Sequence, residues 1–157
     1  MTTELKVGDA APDFQLPSDN GETVSLATLR GKKIVLFFYP KDNTDGCTLE
    51  AKDFSRLKGD FEAAGAQVFG MSPDSIKKHK NFVTKQELTV PLISDEATET
   101  LTKFGVWQEK SMYGRKYMGV VRTTVVIDAN GRIEKIWPSV KVDGHAEEVL
   151  AYVKSAA

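Results

Sequence analysis

One cysteine, two histidines and no long apolar run are found in the 157 residues of this chain, and each scarcity excludes something. A single thiol, Cys47, cannot form an internal disulfide, and dithiol chemistry of the Cys-x-x-Cys kind is closed to it. His79, His145 and Cys47 lie far apart, without the paired spacing of a zinc site, so no metal is expected. Neither glycine-rich phosphate loop is present, which leaves nucleotide binding unsupported and no cofactor expected. No stretch approaches the length that spans a bilayer, so no membrane partner is expected. A net charge of −1 offers no broad field to nucleic acid. The opening residues, Met1-Thr2-Thr3-Glu4-Leu5-Lys6, lack the basic segment and apolar core of a secretory signal. With the lone thiol, they point to the cytoplasm.

What is present is globular: hydrophobic residues make up 41% and charged residues 27%. The length suits one domain, residues 1–157, able to bury a core without metal or disulfide staples. Residues 14–26 read as two short strands around Asn20-Gly21. The unbroken apolar run 34–39 suits a central strand covered on both faces. Glu50, Phe54, Leu57 and Phe61 then recur at helical spacing up to Gly65. A second buried strand covers 67–71, and Ser72-Pro73-Asp74 opens a helix with Ser72 as cap and Pro73 at its first position. A short strand at 91–93, a helix over 96–104, a hairpin of 121–127 with 132–137, and a closing helix over 145–154 complete the chain. Alternating strands and helices predict an α/β fold, a largely parallel sheet with antiparallel pairing from the late hairpin.

Cys47 follows a short polar loop at the start of the first predicted helix. Unpaired N–H groups and the positive dipole end at such a place favour thiolate over thiol. A small buried core residue is the other reading of a lone cysteine, and the polar neighbours argue against it. A cysteine hydrolase needs a histidine base beside the thiol, which two histidines keep open. Peroxide reduction suits the neighbourhood better: the thiolate attacks one peroxide oxygen, the other departs, and a sulfenic acid remains. Such a site needs donors that polarise the O–O bond and a cation for the leaving oxygen. Thr44 supplies a hydroxyl three residues before the sulfur, and an arginine is the natural permanent cation.

Pro40, Thr44 and Cys47 match the Pro-x-x-x-Thr-x-x-Cys signature of peroxiredoxins, and the segment 119–128 resembles the one carrying their active-site arginine. Phe38-Tyr39-Pro40-Lys41-Asp42, Gly46-Cys47-Thr48-Leu49-Glu50, Gly105-Val106-Trp107, Lys110-Ser111-Met112-Tyr113-Gly114 and Val140-Lys141-Val142-Asp143-Gly144-His145 resemble the bacterioferritin comigratory protein (PrxQ) branch. The likeness runs from about residue 5 to the C-terminus. It implies a thioredoxin-like fold, with a central mixed sheet flanked by helices and an N-terminal β-hairpin, and a monomeric thiol peroxidase acting on hydrogen peroxide and organic hydroperoxides. By that resemblance Cys47 is the nucleophile, Thr44 bonds the peroxide, Pro40 shields the pocket, Arg122 binds thiolate and peroxide, and Glu50 supports Arg122. Trp107, Met112, Tyr113 and Tyr117 are either an apolar entrance for alkyl hydroperoxides or a loop packing its own aromatics.

Two departures from the branch stand out. Lys52 and Val83 occupy the places where relatives carry a second, resolving cysteine, so restoring Cys47 falls to an external thiol such as thioredoxin, glutaredoxin or glutathione, or to Cys47 of a second molecule. Asp45 replaces a frequent proline, and its carboxylate opposes a thiolate unless it points to solvent or pairs with Lys41. The rival reading is a non-enzymatic redox sensor or holdase that forms mixed disulfides through Cys47.

Overall fold

The computed structural model describes residues 5–155. Its centre is β3 (Lys33–Phe38), in which residues 34–38 are all apolar and leave no face for water. Side chains alternate across a strand, so both faces must be covered. Val35 and Phe37 enter one core with Phe54, Phe61, Phe82 and Val149; Ile34, Leu36 and Phe38 enter another with Phe14, Leu101 and Phe104.

Beside β3 lie β4 (Ala66–Ser72) and β8 (Thr123–Ile127), with β5 (Leu92–Ser94) and β9 (Ile133–Trp137) outside them, giving a sheet of order β5-β4-β3-β8-β9. β4 and β5 run parallel to β3, whereas β8 is antiparallel to it and to β9. Parallel neighbours require crossovers, and α1 (Asp45–Ala63) and α2 (Ile76–Gln86) provide them. α1 and α2 cover the first core with α4 (His145–Ser155). The second core lies under α3 (Glu99–Lys103) and the hairpin of β1 (Gln15–Pro17) and β2 (Thr23–Ser25). Gly21, at φ 84°, makes the turn of that hairpin in a conformation that favours glycine. This is the mixed sheet flanked by helices that the resemblance implies.

The structure corrects several boundaries. Ser72 ends β4 and is fully buried, and its hydroxyl donates to Asp74 Oδ2 (2.7 Å), so it caps no helix. Ser75 is the cap: its Oγ accepts from the Lys78 N–H, and α2 starts at Ile76, past Pro73. The helix expected over 96–104 shrinks to α3, because Thr98 sits in the left-handed region at φ 61° and breaks the turn before it. β8 begins at Thr123, leaving Val121 and Arg122 outside it. The segment read as either an apolar entrance or a loop is a two-stranded arm, β6 (Trp107–Met112) paired with β7 (Arg115–Val120), turning through Tyr113 and Gly114. Met112, Tyr113, Tyr117 and Met118 on this arm are exposed. Of the residues singled out in the sequence, only Trp107, at the base of the arm, packs half-buried against the second core; Met112, Tyr113 and Tyr117 are not packed away. No helix among the described residues is long and apolar enough to cross a membrane.

Candidate active site

β3 ends at Phe38, and the following loop carries Pro40, half-buried, to α1. Thr44 is the residue before the helix, extended at ψ 156°, and its hydroxyl donates to the Lys41 carbonyl at 2.8 Å instead of capping the helix. Cys47 is the third residue of α1, inside the turn whose N–H groups have no carbonyl within the helix. It is 1% exposed, as a core cysteine would be. Its partner separates the two readings: Arg122 Nη2 donates to Sγ at 3.2 Å.

Arg122 reaches the sulfur because of register. Phe38, at the end of β3, pairs with Thr123, at the start of antiparallel β8, so the residue before β8 lies beside the exit of β3. The Arg122 carbonyl is held by the Val140 N–H at 2.8 Å. Glu50, three residues after Cys47 on the same helical face, accepts from Arg122 Nη1 at 2.7 Å. The guanidinium thus bridges sulfur and carboxylate with its two terminal nitrogens, a geometry a lysine cannot reproduce. Gly46 makes room for it: a Cβ there would lie 3.3 Å from Arg122 Nη2.

The electrostatics are uneven. Burial opposes the charge on Arg122, but Glu50 and Cys47 outweigh it and hold the guanidinium above its ordinary range. Glu50 is 1% exposed, and burial outweighs the attraction of Arg122, pushing its carboxyl up to about 7. Its second oxygen, Oε2, is buried without a hydrogen-bond partner among the described residues. Asp45, at the first position of α1, is exposed.

The structure thus joins Cys47, Glu50 and Arg122 directly, with Thr44 one turn before the sulfur and Pro40 on the loop leading in. A family model described as the AhpC/TSA family matches residues 7–136. The chain belongs to that family. Peroxiredoxin Bcp of Bacillus subtilis is 44% identical to this peroxiredoxin over 150 residues, 96% of each chain. A bacterioferritin comigratory protein of Xanthomonas campestris, solved as trapped intermediate and ligand complexes that bear on its alkyl peroxide reduction activity, is 39% identical, with a TM-score of 0.89 over 97% of both chains. A mutant of Xylella fastidiosa PrxQ is 37% identical, with a TM-score of 0.93 over 98% of both chains. The chain is therefore a thioredoxin-like peroxiredoxin, a thiol-dependent peroxidase.

Neither histidine serves this peroxiredoxin as a base on the sulfur. His145 Nε2 bonds Thr124 Oγ1 at 2.8 Å, its ring edge-on to Phe54 and Trp137. His79 is fully buried in a polar cluster that sequence reasoning missed. Its Nε2 faces the Ile93 carbonyl at 3.0 Å and its Nδ1 faces Asp42 Oδ2 at 2.6 Å. A carbonyl only accepts, so Nε2 carries a proton, and Nδ1 and the carboxylate hold another between them. The Tyr39 hydroxyl donates to Asp42 Oδ1 at 2.6 Å, and the Asp42 N–H donates to Asp74 Oδ2 at 2.8 Å. The available signal was Tyr39 and Asp42 flanking Pro40 in one short motif, with a lone histidine on the next helix but one strand away. The donor atoms of Asp42, Asp74 and His79 lie within 4.8 Å of one another, a spacing that suits an ion, but these contacts already link them.

Proposed function

We propose that this peroxiredoxin reduces hydrogen peroxide and organic hydroperoxides by a one-cysteine cycle. The observation that carries the reading is the Arg122 guanidinium, shared between Cys47 Sγ and Glu50 at the start of a helix. Cys47 thiolate attacks one peroxide oxygen; the S–O bond forms, the O–O bond breaks, and the departing hydroxide or alkoxide takes up a proton. The sulfur is oxidised by two electrons to sulfenic acid and the peroxide is reduced by two. Arg122 holds the sulfur as thiolate and, as a fixed multidentate donor, stabilises charge on the oxygens as the O–O bond stretches. Thr44 bonds the peroxide through its hydroxyl, Pro40 keeps water from the pocket, and Glu50 keeps the guanidinium in place.

Lys52 is exposed on α1 and Val83 packs half-buried against the core, so neither branch position for a resolving thiol holds one. An external thiol, from thioredoxin, glutaredoxin or a small thiol such as glutathione, therefore condenses with the sulfenic acid and releases water. A second thiol then displaces it and restores Cys47. We read residues 1–157 as one domain working as a cytoplasmic monomer. The exposed apolar residues of the β6–β7 arm support the last point, because pairing splits them: Met118 shares a face with Glu109, and Met112 and Tyr117 share the other with Lys110 and Arg115.

Intact mass after one equivalent of peroxide, followed by a panel of thiols, tests the cycle. One added oxygen that each productive thiol removes, with continued peroxide consumption, is the expected result. A single stoichiometric burst under every reductant would instead make Cys47 a sensor.

A further inference from the structure

The Lys41–Asp42 peptide unit connects the buried polar cluster to the site. Its N–H donates to Asp74 Oδ2 at 2.8 Å, and its C=O accepts from Thr44 Oγ1 at 2.8 Å. No peptide in the described chain is cis, and in a planar trans unit the N–H and C=O point in opposite directions. Holding one end therefore aims the other. We propose that Asp74, backed by Asp42 and His79, is a positioning residue for peroxide reduction, fixing this peptide so that its carbonyl orients the Thr44 hydroxyl. The inference rests on the reading of Thr44 as the peroxide-binding group.

Apart from His79 on α2, the anchors of the cluster come from the ends of sheet strands. Asp74 Oδ2 also accepts from Ser72 Oγ, at the end of β4, and the Asp74 carbonyl accepts from Ser94 Oγ, at the end of β5. Ile93 of β5 holds His79, and His79 in turn holds Asp42 from the far side. Tyr39, immediately after β3, holds the other carboxylate oxygen. Asp42, Asp74 and His79 are 6%, 7% and 0% exposed, which is unfavourable for ionisable groups unless their geometry is kept. Around this frame the loop itself is irregular: Asn43, between Asp42 and Thr44, adopts φ 61°.

The test is a double-mutant cycle on two reactions of reduced Cys47, single-turnover oxidation by hydrogen peroxide and alkylation by iodoacetamide. The alkylation needs the thiolate but not Thr44. Asp74→Ala should slow the peroxide reaction by about 10- to 100-fold, as small misplacements do. The same variant should alter alkylation less than about twofold, and Asp74→Asn, which keeps an acceptor oxygen, should recover most of the peroxide rate. In a Thr44→Val background Asp74→Ala should add nothing. Multiplicative losses, or equal losses in both reactions, would overturn the inference while leaving the site reading intact. A Thr44→Val variant as fast as the parent would remove both. Tyr39→Phe, which loses one bond to Asp42 and keeps the ring packing, carries the same comparison if Asp74→Ala does not fold.

Discussion

Replacing Glu50 with glutamine sets two effects against each other whose signs differ. If pairing with Arg122 dominates, the carboxyl is held below its ordinary range, and raising the pH stabilises the fold. If burial dominates, the reverse holds, and the geometry favours burial: Glu50 is 1% exposed and one of its oxygens has no hydrogen-bond partner among the described residues, which pushes the carboxyl up to about 7. The ordinary value is 4.5, so between those limits the folded protein binds more protons at this position than the unfolded chain. Stability then falls as the pH rises through that window. At about 1.4 kcal/mol per pH unit, the gap amounts to about 3 kcal/mol, absent below pH 4.5 and complete above pH 7. Urea unfolding of the parent and of Glu50→Gln from pH 4.5 to 8, both with Cys47→Ser so that no thiol chemistry intervenes, measures it. The parent should lose about 3 kcal/mol relative to the variant across that range. A constant difference would refute the reasoning, and a parent that gains on the variant would show that the ion pair wins after all.

Three further outcomes follow from the site. Arg122→Lys keeps the charge but cannot bridge Cys47 and Glu50, so the peroxide rate constant in stopped flow should fall by about 10²- to 10³-fold. Gly46→Ala brings a methyl group 3.3 Å from Arg122 Nη2 and should slow the same step with little change in melting temperature; an unchanged rate would show that the guanidinium has slack. Because Cys47 is buried, a bulky thiol cannot reach it without loosening the first turn of α1. Hydrogen exchange across residues 44–52 should therefore be faster in the sulfenic or mixed-disulfide form than in the reduced form, and equal protection would count against that opening.

The parts legible in the sequence were those where local pattern and tertiary packing agree. Residues 34–38 could hardly be anything but a central strand, and α1 follows from Phe54, Leu57 and Phe61 meeting the same core. The β6–β7 arm was illegible for the opposite reason. Most of its residues are exposed, on both faces, so it carries no period of two, and its turn uses Tyr113-Gly114 rather than Asn-Gly, both at positive φ. Ser72, followed by Pro73, carried the sequence signature of a cap, but β4 extends to Ser72, and the cap falls to Ser75. At the site, Cys47 and Thr44 stood out from the local chain, whereas Arg122 was found by family likeness, its role depending on which strands pair. The Asp42–Asp74–His79 cluster spans residues 32 and 37 positions apart, and no local rule brings them together.

The separateness of the β6–β7 arm bears on how such a protein can diverge. Its strands hydrogen-bond to each other and belong to neither of the other sheets, and the Val121 N–H closes its base onto the Val106 carbonyl at 2.8 Å. Residues can be added or removed at its tip without shifting the Phe38–Thr123 pairing that brings Arg122 to the sulfur. A single insertion inside β8 would instead turn every later side chain to the opposite face. Length variation among descendants of this chain should collect at 112–115 and be purged from 123–127, leaving the arm free to change what the protein meets while the chemistry stays the same.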